Sequence, residues 1–322
     1  MGYVFDAMNR AQGIDRPRPG PRPEPDSVSA SQETPGAAAT PFSLAEVAAT
    51  QAAEGVGPGM DAPVEDADAS HAPNLRIATG DPPPPGIDDR MVVLTEPSSI
   101  MAEEYRSIRT GLLARWRQKR HILHTITSAT PQEGKTITSL NLGLSFAELR
   151  NRRTLVVEAD LRLPQFANLL GMDEEGPGLI KYLMGEATLS EVTHALGNTG
   201  LSVIPAGGRV NNEAVQLLSS NRMSNLLRTL RQMYDHVIID TPPVLELADA
   251  GIIGAQSDDV LMIVRLQRSP RQLVEQAIRT LESYNAPVAG LIATDQKRSR
   301  KQSYYRYRYG YHYGGRSYSK AA

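Results

Sequence analysis

Ser128-Ala129-Thr130-Pro131-Gln132-Glu133-Gly134-Lys135-Thr136 stands between an apolar, β-branched run, His121–Thr127, and a helical pattern near 135–149. Glycine followed by lysine and threonine at a strand-to-helix junction is the pattern of a phosphate-binding loop. Backbone N–H groups and the helix N-terminus attract anionic phosphate there. The loop runs from Ala129 to Ile137, with Thr130, Pro131, Gln132, Glu133 and Gly134 lending backbone to the phosphates. Lys135 is placed to neutralise β- and γ-phosphates, and the Thr136 hydroxyl to ligate Mg²⁺. Such loops usually open on glycine. Ala129 holds that position here, and fits if its backbone keeps a negative φ.

Working outward, the flanking sequence alternates. Strands are predicted at His121–Thr127, Thr154–Glu158, Leu201–Pro205, His236–Asp240, Val260–Arg265 and Val288–Thr294. Helical patterns fall near 135–149, 211–233, 245–255 and 271–284. Apolar strands alternating with helices predict an α/β domain, its mostly parallel sheet flanked by helices. Ligands of such sheets bind at the carboxyl ends of the strands.

Two of those ends carry acid. Thr154–Glu158 runs into Glu158-Ala159-Asp160-Leu161-Arg162, and His236–Asp240 into Asp240-Thr241-Pro242-Pro243. A carboxylate closing a buried apolar strand is costly unless it meets a cation or metal, or caps a helix. A cap accounts for Asp240 taken alone. Beside a phosphate loop, Asp240 reads instead as holding Mg²⁺ directly or through water.

Composition bounds the rest of the chain. Of 322 residues none is cysteine, which excludes disulfides, Cys-ligated zinc, iron–sulfur clusters and cysteine nucleophiles. No run of about 18 apolar residues exists, and the N-terminus lacks a signal peptide's apolar core, so the chain reads as cytoplasmic. Fourteen of the 23 prolines lie before residue 91, where 14 acidic and 6 basic residues give −8. That composition predicts a disordered Pro/Ala-rich extension over 1–90, either a spacer or a ligand for a groove-binding domain. Residues 1–12 form either a short amphipathic helix, with Val4, Phe5 and Met8 on one face, or a frayed end. The folded domain is expected over 91–296, and residues 297–322 form a tail with 8 basic and no acidic residues.

The tail holds Tyr304, Tyr305, Tyr307, Tyr309, Tyr311, Tyr313 and Tyr318, interleaved with arginine and glycine. No core-forming period explains them. On residue types alone the segment fits a nucleic-acid-binding tail or a sticky low-complexity end. Ahead of the phosphate loop, Glu103, Arg106 and Arg109 recur every three residues along one helical face. They form either an exposed, self-paired cluster or a contact surface.

Taken together, the loop Ala129–Thr136, the Glu158/Asp160/Arg162 motif and Ile238-Ile239-Asp240-Thr241-Pro242-Pro243 resemble those of the bacterial protein tyrosine autokinases of capsule and exopolysaccharide export, relatives of the partition ATPases. The resemblance covers residues 91–322 and implies a P-loop NTPase fold, ATP and Mg²⁺ as cofactors, and autophosphorylation of the tail tyrosines in trans. It assigns Lys135, Glu158, Asp160, Arg162 and Asp240 to catalysis, and Thr136, Asp160 and Asp240 to the metal. Glu103, Arg106 and Arg109 match the family's contact between ring subunits. Glu158 stands where the family has aspartate, and the extra signature lysine of the partition-type loop is absent. As partners the resemblance implies a separate membrane-embedded chain-length-determinant activator, which recruits the kinase to the inner face of the plasma membrane, a homo-oligomeric ring and a cognate tyrosine phosphatase. Nucleic acid is not among them. The competing readings are a partition-type ATPase and a nucleotide-gated adaptor without kinase activity.

Overall fold

Strands apolar on both faces need a helical layer on each side, and the chain builds one. The computed structural model describes residues 4–6 and 84–294. In chain order the elements are β1 (Val4–Asp6), α1 (Val92–Thr95), α2 (Ile100–Arg115), β2 (Ile122–Ser128), α3 (Lys135–Ala147), β3 (Thr154–Glu158), α4 (Phe166–Leu170), α5 (Leu179–Met184), α6 (Leu189–Val192), β4 (His194–Ala195), β5 (Leu201–Ile204), α7 (Ala214–Leu218), α8 (Asn221–Met233), β6 (His236–Asp240), α9 (Asp249–Gly254), β7 (Asp259–Arg265), α10 (Arg271–Ser283) and β8 (Val288–Thr294). They form one sheet in the order β1-β8-β7-β2-β6-β3-β5-β4. The six inner strands are parallel; β1 and β4 close the edges antiparallel.

Alternation along each strand sorts the core. Val156, Ile238, Ile126 and Leu261 face Ala102, Ile108 and Leu112 of α2 and Leu140, Leu144 and Phe146 of α3. Leu155, Val157, Val237 and Ile239 face the opposite way, onto Leu179 of α5 and Met223, Leu226 and Leu230 of α8. Val260 and Met262 meet Val274, Ala277 and Leu281 of α10. Burying each such large side chain contributes roughly 1.5–3 kcal/mol. Helix α3 lies tight on the sheet because Gly143 has no side chain; a Cβ there would sit 2.3 Å from Val156 Cγ2.

Register then positions the chemistry. Central β2 pairs with β6 on one side and β7 on the other, and Glu158 is the register partner of Asp240. The phosphate loop and both acidic strand ends therefore open on the same edge of the sheet.

The inner strands match the sequence expectation within a residue at either end. The stretch 211–233 is two helices rather than one. Ser220 turns its side chain to accept the Met223 N–H at 3.2 Å, and such an N-cap starts a new helix rather than extending the old one. Val4–Asp6 is a strand pairing with Gly290–Ile292, not a helical turn. A short isolated helix is marginal, whereas β8 offers an edge of unpaired backbone groups. The folded domain also begins before residue 91. Ile87 packs on the core, Asp88 N–H donates to Leu169 C=O at 3.0 Å, and the Asp88 carboxylate pairs with Arg90 at 2.8 Å. Expectations for residues 1–3, 7–83 and 295–322, the tail tyrosines included, lie outside the described residues. No helix among the described residues is long and apolar enough to cross a membrane.

Candidate functional site

The loop between β2 and α3 has two residues in the left-handed region, Gln132 (φ 61°) and Gly134 (φ 95°). Ala129 is not one of them, so alanine is accommodated at that position without strain. Left-handed residues at alternate positions turn successive N–H groups toward one concavity, an anion-binding nest. Lys135 opens α3 at the rim of this nest and is 8% exposed, so its charge is kept close to the acidic strand ends.

Asp240 closes β6 beneath the loop and is fully buried. Burial pushes its carboxyl up to about 6, while Lys135, Thr136 and Ser139 draw it back down. Ser139 Oγ lies 3.0 Å from Asp240 Oδ1, and Oδ2 has no protein partner. A fully buried carboxylate oxygen left without a donor fits a cation or its bound water. Among the described residues no group of three or more His, Asp or Glu could hold a metal by itself. Mg²⁺ in general takes one or two carboxylates and relies on phosphate and water for the rest.

Asp160 lies just beyond β3. Burial raises its pKa, the Leu163 N–H and Lys135 oppose the rise, and Asp249 adds to it. Arg162 is tied up within the chain: its Nε donates to Asp249 Oδ2 at 3.1 Å and its Nη1 to the Asn211 carbonyl. Glu158 is the residue whose surroundings differ most from those of its companions. Its Oε1 accepts from the Gln165 and Phe166 N–H groups, and its Oε2 from Ala206 N–H at 2.9 Å. Glu158 thus fastens the end of β3 to the start of α4 and to the loop after β5. Burial pushes its carboxyl up to about 7 against the pull of those three donors.

Glu103, Arg106 and Arg109 share a face of α2, but the two arginines bond within the chain. Arg106 Nη2 meets Glu148 Oε1 at 2.6 Å and Arg109 Nη1 meets Glu148 Oε2 at 2.9 Å. Arg106 Nη1 also bonds Glu103 and the Pro97 carbonyl, each at 2.7 Å. Glu148, at the C-cap of α3, carries no motif and was missed. So was Ser139, four residues after Lys135 and thus on its helical face. Arg265, Ser269 and Thr294 also touch the loop. A charge closing the apolar run Asp259–Arg265 was the available signal for the first of them.

A phosphate-loop domain on a parallel sheet, with acid at the neighbouring strand ends, is the class this geometry defines. Residues 132–288 match the AAA domain family. The tyrosine-protein kinase YwqD of Bacillus subtilis is 32% identical over 216 residues, 66% of this chain and 89% of that protein. The kinase domain of the Escherichia coli tyrosine kinase Etk matches in structure with a TM-score of 0.61 and 28% identity, covering 71% of this chain and 84% of that one. The succinoglycan biosynthesis transport protein ExoP of Rhizobium meliloti is 29% identical over 244 residues, 70% of this chain. The chain belongs to the bacterial tyrosine-protein kinase family. It spans 27% to 31% of the length of the longer curated relatives, ExoP among them.

Proposed function

We propose that the chain is an ATP-dependent tyrosine autokinase that phosphorylates the tyrosine-rich tail of a neighbouring copy and thereby regulates exopolysaccharide polymerisation and export. One observation carries the reading: Thr294, where β8 runs out into the tail, donates from Oγ1 to the Glu133 carbonyl of the phosphate loop at 2.8 Å. Thr294, three positions before the basic tail begins, therefore lies at the rim of the site. Nine residues separate Thr294 from Tyr304, a span of up to about 30 Å when extended.

In this mechanism the loop N–H groups and Lys135 hold the β- and γ-phosphates and offset their charge. Thr136, Asp240 and Asp160 are the residues that would hold Mg²⁺, which when bound would supply positive charge beside the phosphates. The tyrosine oxygen bonds to the γ-phosphorus, the bond to the β–γ bridging oxygen breaks, and ADP leaves. The phenolic proton passes to water. Glu158, its oxygens already engaged, positions the end of β3, and Arg162 orients the loop after Asp160 through Asp249. Beside this edge, Leu163, Glu174, Glu175 and Arg209 line a cleft of about 180 Å³. Its acidic pair complements the basic tail.

The polysaccharide role takes support from ExoP's name and from the family resemblance. On the same ground a separate membrane-embedded activator brings the chain to the inner face of the plasma membrane. There it forms a ring, through Glu103, Arg106 and Arg109, that a tyrosine phosphatase resets. The test mixes full-length Lys135→Met protein, as acceptor, with a chain ending at residue 296, as donor, in Mg²⁺ and γ-labelled ATP. Label on the Lys135→Met tail is the expected result. ATP hydrolysis with no label on protein overturns the proposal in favour of a partition-type ATPase.

A further inference from the structure

The anion-binding shape of the loop is held from behind. Arg265, the last residue of β7, is 7% exposed and donates from Nη1 to the Gln132 carbonyl at 2.8 Å. Thr294, the last residue of β8, holds the next carbonyl, that of Glu133. The chain contains no cis peptide among the described residues, so each C=O points opposite to the N–H of the residue that follows. Pulling the carbonyls of 132 and 133 outward therefore turns the N–H groups of Glu133 and Gly134 inward, toward the phosphate position. Gln132 pays for its left-handed backbone in strain, and Arg265 bonds the carbonyl of that same residue.

The Glu133 side chain joins this brace. It is 3% exposed, and its Oε1 accepts from Thr130 Oγ1 at 2.7 Å and from Ser269 Oγ at 2.6 Å. Ser269 Oγ in turn accepts the Arg265 N–H at 3.0 Å. A buried carboxylate in an anion-binding loop works against phosphate unless a cation stands nearby, and Arg265 is the cation reaching the loop from this side.

We infer that Arg265 and Thr294 are positioning residues that hold the loop's N–H groups ready for the nucleotide polyphosphate. The inference rests on the proposed nucleotide reading of the loop. Because Thr294 is the last residue of β8, the clamp ties loop shape to the strand that precedes the tail in sequence.

Four full-length variants test it: Thr294→Val, Thr294→Ser, Arg265→Met and Arg265→Lys. Each is measured for Mg²⁺–ATP affinity by calorimetry, for binding of inorganic triphosphate, and for melting temperature without nucleotide. Thr294→Val keeps the volume and loses the hydroxyl, so its Kd for both probes should rise about tenfold, the loss expected of one buried hydrogen bond. Thr294→Ser should stay within about threefold of wild type, because the donor is retained. Arg265→Met should lose at least as much as Thr294→Val, with Arg265→Lys in between, and KM for ATP should rise more than kcat falls. Wild type that binds ATP while Thr294→Val binds it equally well overturns the clamp alone. Wild type that binds neither ATP nor triphosphate overturns the nucleotide reading, and the clamp's purpose with it. If Arg265→Met fails to fold, the Thr294 pair decides.

Discussion

His236, 4% exposed at the foot of β6, stacks on Phe146 at 4.1 Å and on His124 at 5.9 Å, and neither of its ring nitrogens has a partner. Burial, then the charges of His124 and Arg152, push its pKa down to about 3, against the opposing pull of Asp235 and Asp259. The unfolded chain takes up that proton near pH 6.5. Between about 6.5 and 3 the unfolded state therefore binds more protons, and stability falls as pH drops through that window. Glu158 and Asp240, both raised, act with the opposite sign, losing stability as pH rises toward 7 and 6. A comparison with His236→Phe isolates the histidine. Wild type should lose about 2 kcal/mol more than the variant between pH 7 and pH 5 in urea unfolding. Parallel profiles would contradict the buried neutral ring. The placement of Lys135, Thr136 and Asp240 at a helix start and a strand end is legible in the sequence, because strand, loop and helix each confirm their neighbour. Glu158 was legible as a buried acid but not in its bonding, since its donors come from residues 165, 166 and 206. Arg265 was not read at all, because its partner lies 133 positions away along the chain.

Helices α2 and α3 are joined by a charged brace rather than by apolar packing alone. Glu148 is a quarter exposed and takes two arginines, so removing both loses two partly buried ion pairs while uncovering the carboxylate to water. Arg106→Ala with Arg109→Ala should therefore lower the unfolding free energy of the isolated chain by about 1–2 kcal/mol, read from urea titration at a concentration where light scattering reports a monomer. Unchanged stability would return both arginines to intersubunit contact alone. The three-residue spacing placed them on one helix face, yet sequence does not say which helix that face meets. Elsewhere the long elements follow from periodicity, whereas α4, α5, α6 and β4, between residues 166 and 195, are too short to show a period and are not among the predicted elements. Ser219-Ser220 breaks a continuous helical pattern by capping, and Val4–Asp6 takes its form from the edge of β8 rather than from its own residues.

Across the whole chain, charge is segregated: −8 before residue 91 and +8 after 296. In sequence the basic end begins at residue 297, after the strand whose last residue, Thr294, touches the phosphate loop, and the loop's neighbours are acidic. Composition divides the sequence into three parts, while the packing of Ile87 and the bond from Asp88 to Leu169 bring residues before 91 into the folded domain, contacts that composition cannot register. On the proposed function, ATP at the loop and tyrosine from the tail meet in one reaction. The most direct measurement takes purified full-length protein, strips it with a phosphatase, removes the phosphatase, and incubates it with ATP and Mg²⁺. Intact mass and peptide mapping then follow residues 297–322. Wild type should acquire phosphotyrosine within that segment, and Lys135→Met, melting within a few degrees of wild type, should acquire none. Equal phosphotyrosine in Lys135→Met, or none in wild type that binds ATP, would contradict the account.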